Sequence, residues 1–292
     1  MILSLILALA APQDVQISTA VREALAAGKT TGDAVMIGKI EALAAQNDAS
    51  AIELLGEIHE FGGFGVTRDS TIACAFFVRA ADRRGDSAHN LARCYETGNG
   101  LAADPVKARS WYGRAAALGY SKSGCALGNM MVAGSGGPRD VAGGMALCRR
   151  AAEAGNADAQ TDLGNFLIRG VAGKPDAVEA RKWYALAAAQ GQASAQLVLG
   201  QIYWNGDGTP ADRDAAVKWW KLAWDGGRKD AAGLIVDDLF ARMITERDGK
   251  KQVDRAYLPD TLLWLERAAA EDPDPAKRKG FAESLATLRA QQ

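Results

Sequence analysis

The chain has 292 residues, with 34 lysines and arginines against 35 aspartates and glutamates, and so a formal net charge of −1. Near-neutral balance without a lysine or arginine block excludes the basic surface that tracks a phosphate backbone, so nucleic acid is not an expected partner. Two histidines, and four cysteines that never fall in CxxC spacing, offer no metal or redox motif, and no cofactor is expected.

The first feature along the chain is the apolar run Met1–Ala10. At ten residues it is about half of what a bilayer span needs, so no transmembrane segment is expected. With Ala8-Leu9-Ala10 as a cleavage site before Ala11-Pro12, residues 1–10 read as a signal peptide that lacks a lysine or arginine ahead of its apolar core. A buried first helix is the weaker alternative, because Pro12 interrupts it at once. A periplasmic or secreted location follows, with the mature chain starting near Ala11. Residues 14–46 are expected to form N-terminal capping helices. Within them Ile40-Glu41-Ala42-Leu43-Ala44-Ala45 matches the later Ala80-Ala81 and reads as a second helix lacking its first.

From 47 to 231 the chain repeats. Leu55, Leu91, Leu127, Leu163 and Leu199 stand 36 residues apart, and Ile235 continues the series. Gly56, Ala92, Gly128, Gly164 and Gly200 follow them. Four residues ahead of the leucines lie Ala51, Ser87, Ser123, Ala159, Ala195 and Ala231, small enough for two helices to approach closely. Seven residues after the leucines come Gly62, Gly98, Gly134, Gly170 and Gly206, where a helix would need a left-handed cap. Asp104, Asp140, Asp176 and Asp212 then precede apolar runs as N-caps. Ala180-x-x-Trp183-Tyr184-x-x-Ala187-Ala188 shows the helical spacing of those runs, and Gly119, Gly155, Gly191 and Gly227 end them. Each unit is therefore helix, glycine turn, helix, glycine turn. Residues 232–292 read as a degenerate sixth copy, with a polar connection through Arg247-Asp248-Gly249-Lys250-Lys251, and a C-terminal capping helix over 275–290.

Leu199-Gly200-x-x-Tyr203, Gly206-x-Gly208, Asp212, Ala216, Trp219-Trp220 and Ala223 resemble a Sel-one-like repeat, the longer relative of the tetratricopeptide repeat. The third copy departs most, with Met131 for the tyrosine and Leu147-Cys148 for the aromatic pair; the first has His59 and Phe76-Phe77. The resemblance implies an all-α fold, an α-solenoid or superhelix of antiparallel helix pairs, read here as one array.

An exported chain meets oxidising conditions, and Cys74 and Cys94 lie symmetrically about the turn near Arg84, at equal height on neighbouring helices. They are the expected disulfide. Cys125 and Cys148 are symmetric about the next turn, but two residues before Leu127 Cys125 is expected on the exposed side of its helix. Four unpaired, core-filling thiols are the alternative.

No catalytic residue is expected. His59 occupies the tyrosine position of copy one and reads as a core residue with one satisfied nitrogen; His89 reads as surface. The glycine-rich stretches recur with the repeat and are turns rather than phosphate cradles, and no strand is expected. What remains is surface. The residue two after each leucine is polar: Glu57, Arg93, Asn129, Asn165, Gln201 and Asp237. By resemblance to tetratricopeptide repeats this column faces a concave groove where amides grip an extended peptide. Arg93 would add a charge, and Trp204, in the column three further on, an aromatic anchor. A simple solvated face is the competing reading. The expected function is a non-enzymatic protein–protein interaction adaptor or scaffold of a bacterial envelope, with a protein or peptide partner. A purely structural envelope component is not separated from it. Cysteine-rich members of the family suggest the alternative of a weak β-lactam or peptidoglycan binding protein or hydrolase, although their repeated cysteine pairs are missing.

Overall fold

The computed structural model describes residues 17–247 and 250–290; the apolar run Met1–Ala10, read above as a signal peptide, lies outside the described residues. Contacts gather into two compact units that divide between Ala154 and Gly155, where the sequence reads a single array. Each unit is a run of antiparallel helix pairs.

The upstream unit holds α1 (Thr19–Thr31), α2 (Asp33–Ala45), α3 (Ala49–Phe61), α4 (Ser70–Ala80), α5 (Gly85–Thr97), α6 (Pro105–Ala117), α7 (Lys122–Ala133) and α8 (Val141–Glu153). The α2 helix does not lack a partner: α1 precedes it, started by Ser18, whose Oγ accepts from the Val21 N–H at 3.3 Å. Gly28 and the polar end Lys29-Thr30-Thr31 blur the apolar period of α1, although Val21 and Ala24 are buried. Copies one to three are α3–α4, α5–α6 and α7–α8. The aspartates open their second helices as expected, Asp104 accepting from the Val106 and Lys107 N–H groups and Asp140 from that of Gly143. In copy one the cap is Asp69, 35 rather than 36 residues before Asp104. This slip makes Phe77, not Phe76, the buried ring, and it lies against Gly56.

Copy three differs most. Leu127 is only half-buried, while Ser123, Cys125, Gly128, Met130 and Val132 are buried. Cys125, expected outside, is 3 % exposed and bonded to Cys148, with a Cα–Cα distance of 4.0 Å. The cause is close approach. Cys148 stands where the neighbouring copies have Tyr112 and Tyr184, and Gly128 meets Gly144 so tightly that a Cβ on Gly128 would lie 2.5 Å from the Gly144 carbonyl oxygen. With no ring between them the backbones of α7 and α8 touch, turning Cys125 inward and Leu127 outward. Cys74 of α4 and Cys94 of α5 are also bonded, Cα–Cα 6.2 Å, and tie copy one to copy two.

The downstream unit holds α9 (Ala157–Ile168), α10 (Ala177–Ala189), α11 (Ala193–Asn205), α12 (Arg213–Asp225), α13 (Ala231–Met243), α14 (Leu258–Glu271) and α15 (Pro275–Ala290). Asp176 and Asp212 cap α10 and α12. Leu163, Leu199 and Ile235 are fully buried, with Tyr184 packed on Gly164 and Trp220 on Gly200. The Trp220 Nε1–H donates to the Leu197 carbonyl at 3.2 Å. Between α13 and α14 the chain forms strands β1 (Ile244–Arg247) and β2 (Lys250–Val253), antiparallel with Ile244 opposite Val253 and Arg247 opposite Lys250. No strand was expected there, yet Asp248-Gly249 is one of the dipeptides favoured by two-residue hairpin loops. The α15 helix has no fully buried residue and lays Phe281, Leu285 and Leu288 against the core of α12–α14.

The glycine columns behave as turns. Gly62, Gly98, Gly134, Gly170 and Gly206 all have positive φ, as do Gly119, Gly155, Gly191 and Gly227. Among the described residues no helix is long and apolar enough to cross a membrane.

Candidate functional site

The polar column divides between the two units. In the upstream unit Arg93 is exposed on α5 and pairs with Glu60 of α3 at 2.9 Å. Asn129, on α7, is half-buried, its Oδ1 3.9 Å from the Cys148 sulfur. Glu57 heads the column and borders a buried polar cluster that sequence reading missed. Glu53, 4 % exposed, accepts from the Ser87 hydroxyl and, at 2.9 Å, from the Asn90 amide. Arg84 pairs with Asp86 and donates to the Ser50 hydroxyl at 3.0 Å. Burial, then the charges of Asp86 and Glu57, push the Glu53 carboxyl well above its usual range. Burial, then Asp86 and Glu60, push Glu57 up to about 7 against the opposing pull of Arg84 and Lys122. The available signal was a glutamate and an aspartate on helix faces whose other members are apolar or small.

In the downstream unit Asn165 of α9 is half-buried, and its Oδ1 accepts from the Tyr184 hydroxyl at 2.8 Å. That contact uses one lone pair of the amide oxygen and orients the side chain, which keeps both N–H donors. Gln201 of α11 is half-buried and donates to the Asn205 side chain at 2.9 Å, which leaves its own oxygen as an acceptor. Trp204 is less available than an anchor should be. Its ring is half-buried, 5.5 Å from that of Trp220 and covered by the Arg213 guanidinium at 4.7 Å. Arg213 is itself held by Asp238, 1 % exposed, which it shares with Arg242.

Both histidines depart from expectation. His59 stacks on Phe76 at 5.7 Å, but its buried Nδ1 finds no hydrogen-bond partner among the described residues. His89 is not on the surface: it packs against Tyr112 and Tyr120, with Nδ1 2.9 Å from the Ser123 hydroxyl. Burial, then Arg93 and Lys122, lower its pKa to about 4, so it is neutral in ordinary solution. The imidazole is enclosed by two tyrosine rings and the Ser123 hydroxyl beside it is fully buried, so the contact serves packing.

The Sel1 repeat model matches residues 49–84, 85–120, 125–156, 157–192 and 193–227. The third match is shortened at its start, in the copy where α7 has rotated. No curated protein matches the chain. Among solved structures, a Sel1 repeat protein from Oxalobacter formigenes is 26 % identical, with TM-score 0.68 over 88 % of this chain and 100 % of that one. A protective antigen of uropathogenic Escherichia coli with an SLR fold is 24 % identical, with TM-score 0.64 over 90 % of this chain. The present chain spans 55 % of that longer protein. A putative Sel1 repeat protein from Klebsiella pneumoniae is 22 % identical, with TM-score 0.50 over 68 % of this chain and 97 % of that one. Sel1 repeat proteins generally mediate protein–protein interactions and are typically non-catalytic. With matched repeats over more than half of its length, this chain belongs to the Sel1 repeat family.

Proposed function

We propose that the protein is a non-enzymatic adaptor of a bacterial cell envelope that holds a protein or peptide partner on the polar column of its first helices. The observation that carries the reading is the orientation of two column amides by their neighbours. Tyr184 donates to the oxygen of Asn165 and Gln201 donates to Asn205, so both side chains are oriented and each keeps a donor and an acceptor for a partner. Successive donors and acceptors are what an extended main chain needs, since its own N–H and C=O groups alternate. Arg93 and Asn129 hold the same column positions in the upstream unit.

The envelope assignment rests on the apolar run at Met1–Ala10, followed by Ala11-Pro12. Fractionation of cells expressing the tagged full chain tests it: tag recovered in the periplasm or medium supports export, and tag retained in the cytoplasm removes it. The binding assignment is tested by changing Arg93, Asn129, Asn165 and Gln201 together to alanine. Loss of captured partners with an unchanged thermal melt supports the column, and undiminished capture rejects it.

A further inference from the structure

A second surface lies on the other helices of the repeats, within the downstream unit. Trp224 of α12 and Trp264 of α14 meet edge to face, ring centroids 5.6 Å apart. The Arg267 guanidinium carbon lies 4.7 Å from the Trp224 centroid and 4.5 Å from the Trp264 centroid, so both indoles hold it. The Lys229 ammonium stands 3.6 Å over Trp224, and that of Lys221 5.9 Å from Trp264. Three cations thus converge on two rings.

Their acidic partners are few. Lys229 pairs with Glu271 at 3.1 Å. Glu266 and Asp230 are engaged with Arg289 and Arg228, and the exposed Asp225, one helical turn from Lys221, is the remaining acid on α12 beside the cluster. Among the described residues Arg267 and Lys221 make no ion pair and no side-chain hydrogen bond. A cation–π contact offsets charge but uses none of the five N–H donors of a guanidinium. The buried Trp224 Nε1–H also finds no acceptor. The cluster therefore carries a surplus of donors and of positive charge, with its central arginine held in place by two flat rings. Packing like charges together is costly, and an oxyanion would offset it.

We propose that Arg267, Lys221 and Lys229, set on Trp224 and Trp264, form a docking site for a carboxylate-bearing segment of a protein partner. A carboxylate matches the fork of Arg267 bidentately, with Lys221 beside it, and the indoles supply apolar area for the stem of a glutamate. The choice of a protein source rests on the reading of the chain as an adaptor, but the site shares no residue with the polar column.

The test is calorimetric titration of the full chain with a short glutamate-rich peptide, a lysine-rich peptide of equal length, inorganic phosphate, and phosphatidylglycerol vesicles. The glutamate peptide alone should bind, more weakly as salt rises. Arg267→Gln should weaken it at least about tenfold, and Lys221→Gln, at an exposed position, should weaken it in the same direction. Lys182→Gln, exposed on α10 away from the cluster, should change nothing. Equal binding by Arg267→Gln and Lys221→Gln overturns the proposal. Preference for phosphate or vesicles overturns the carboxylate source. Peptide binding lost in the alanine variant of the column but kept in Arg267→Gln moves the site to the column and sinks this one alone.

Discussion

Copies three and five join their two helices in opposite ways. In copy five Trp220 fills the joint, seated on Gly200 and anchored through its Nε1 to the Leu197 carbonyl. In copy three Cys148 takes the ring's place, glycine packs on glycine, and the Cys125–Cys148 bond spans Cα atoms 4.0 Å apart. The small residue after each leucine therefore makes room for whatever stands opposite it, a ring in one copy and a bare backbone in the other. Joint width follows from that partner, and so does which face of the first helix turns inward.

The largest test of this contrast is Trp220→Ala, which removes a ring 1 % exposed and should cost about 3–5 kcal/mol in a thermal or denaturant melt. A loss below about 1 kcal/mol would mean that the ring does not close copy five. Next comes Leu163→Ala in copy four, expected to cost about 2–5 kcal/mol because the side chain is fully buried. Leu127→Ala should cost clearly less, since α7 has turned that leucine half outward; equal costs would contradict the rotation. Replacing Cys125 and Cys148 together by alanine should cost roughly 2–4 kcal/mol, with faster hydrogen exchange in α7 and α8 and unchanged exchange in α11 and α12.

A finer comparison uses glycine. Gly128→Ala must push a Cβ to 2.5 Å from a backbone oxygen, whereas in Gly164→Ala the Cβ meets the Tyr184 ring at 2.9 Å. A ring can shift and a helix backbone resists, so the first should cost about 1–3 kcal/mol and the second less. A pH-dependent test lies outside both copies. Glu57 titrates at about 7 in the folded chain against an ordinary 4.5, so its contribution favours the folded state at low pH and is lost as pH rises through 7. The melting temperature should fall between pH 5 and pH 8, and Glu57→Gln should flatten that slope. A slope unchanged in Glu57→Gln would place the titration elsewhere in the cluster.

The repeat was legible in sequence because its columns encode local requirements. A positive-φ turn selects glycine, a free helix start selects aspartate, and a close contact selects alanine or serine, so Gly98, Asp176 and Ala195 could each be read from the recurrence of its column. Even the missed hairpin had a local signal in Asp248-Gly249. Tertiary structure decided what depends on the neighbour across the joint: Cys125 turned inward, Leu127 turned outward, Trp204 covered by Arg213, and Arg267 held between two tryptophans. Spacing along one helix fixes which residues share a face. How far that face rotates, and which side chain from another helix covers it, is set by close packing between elements distant in sequence.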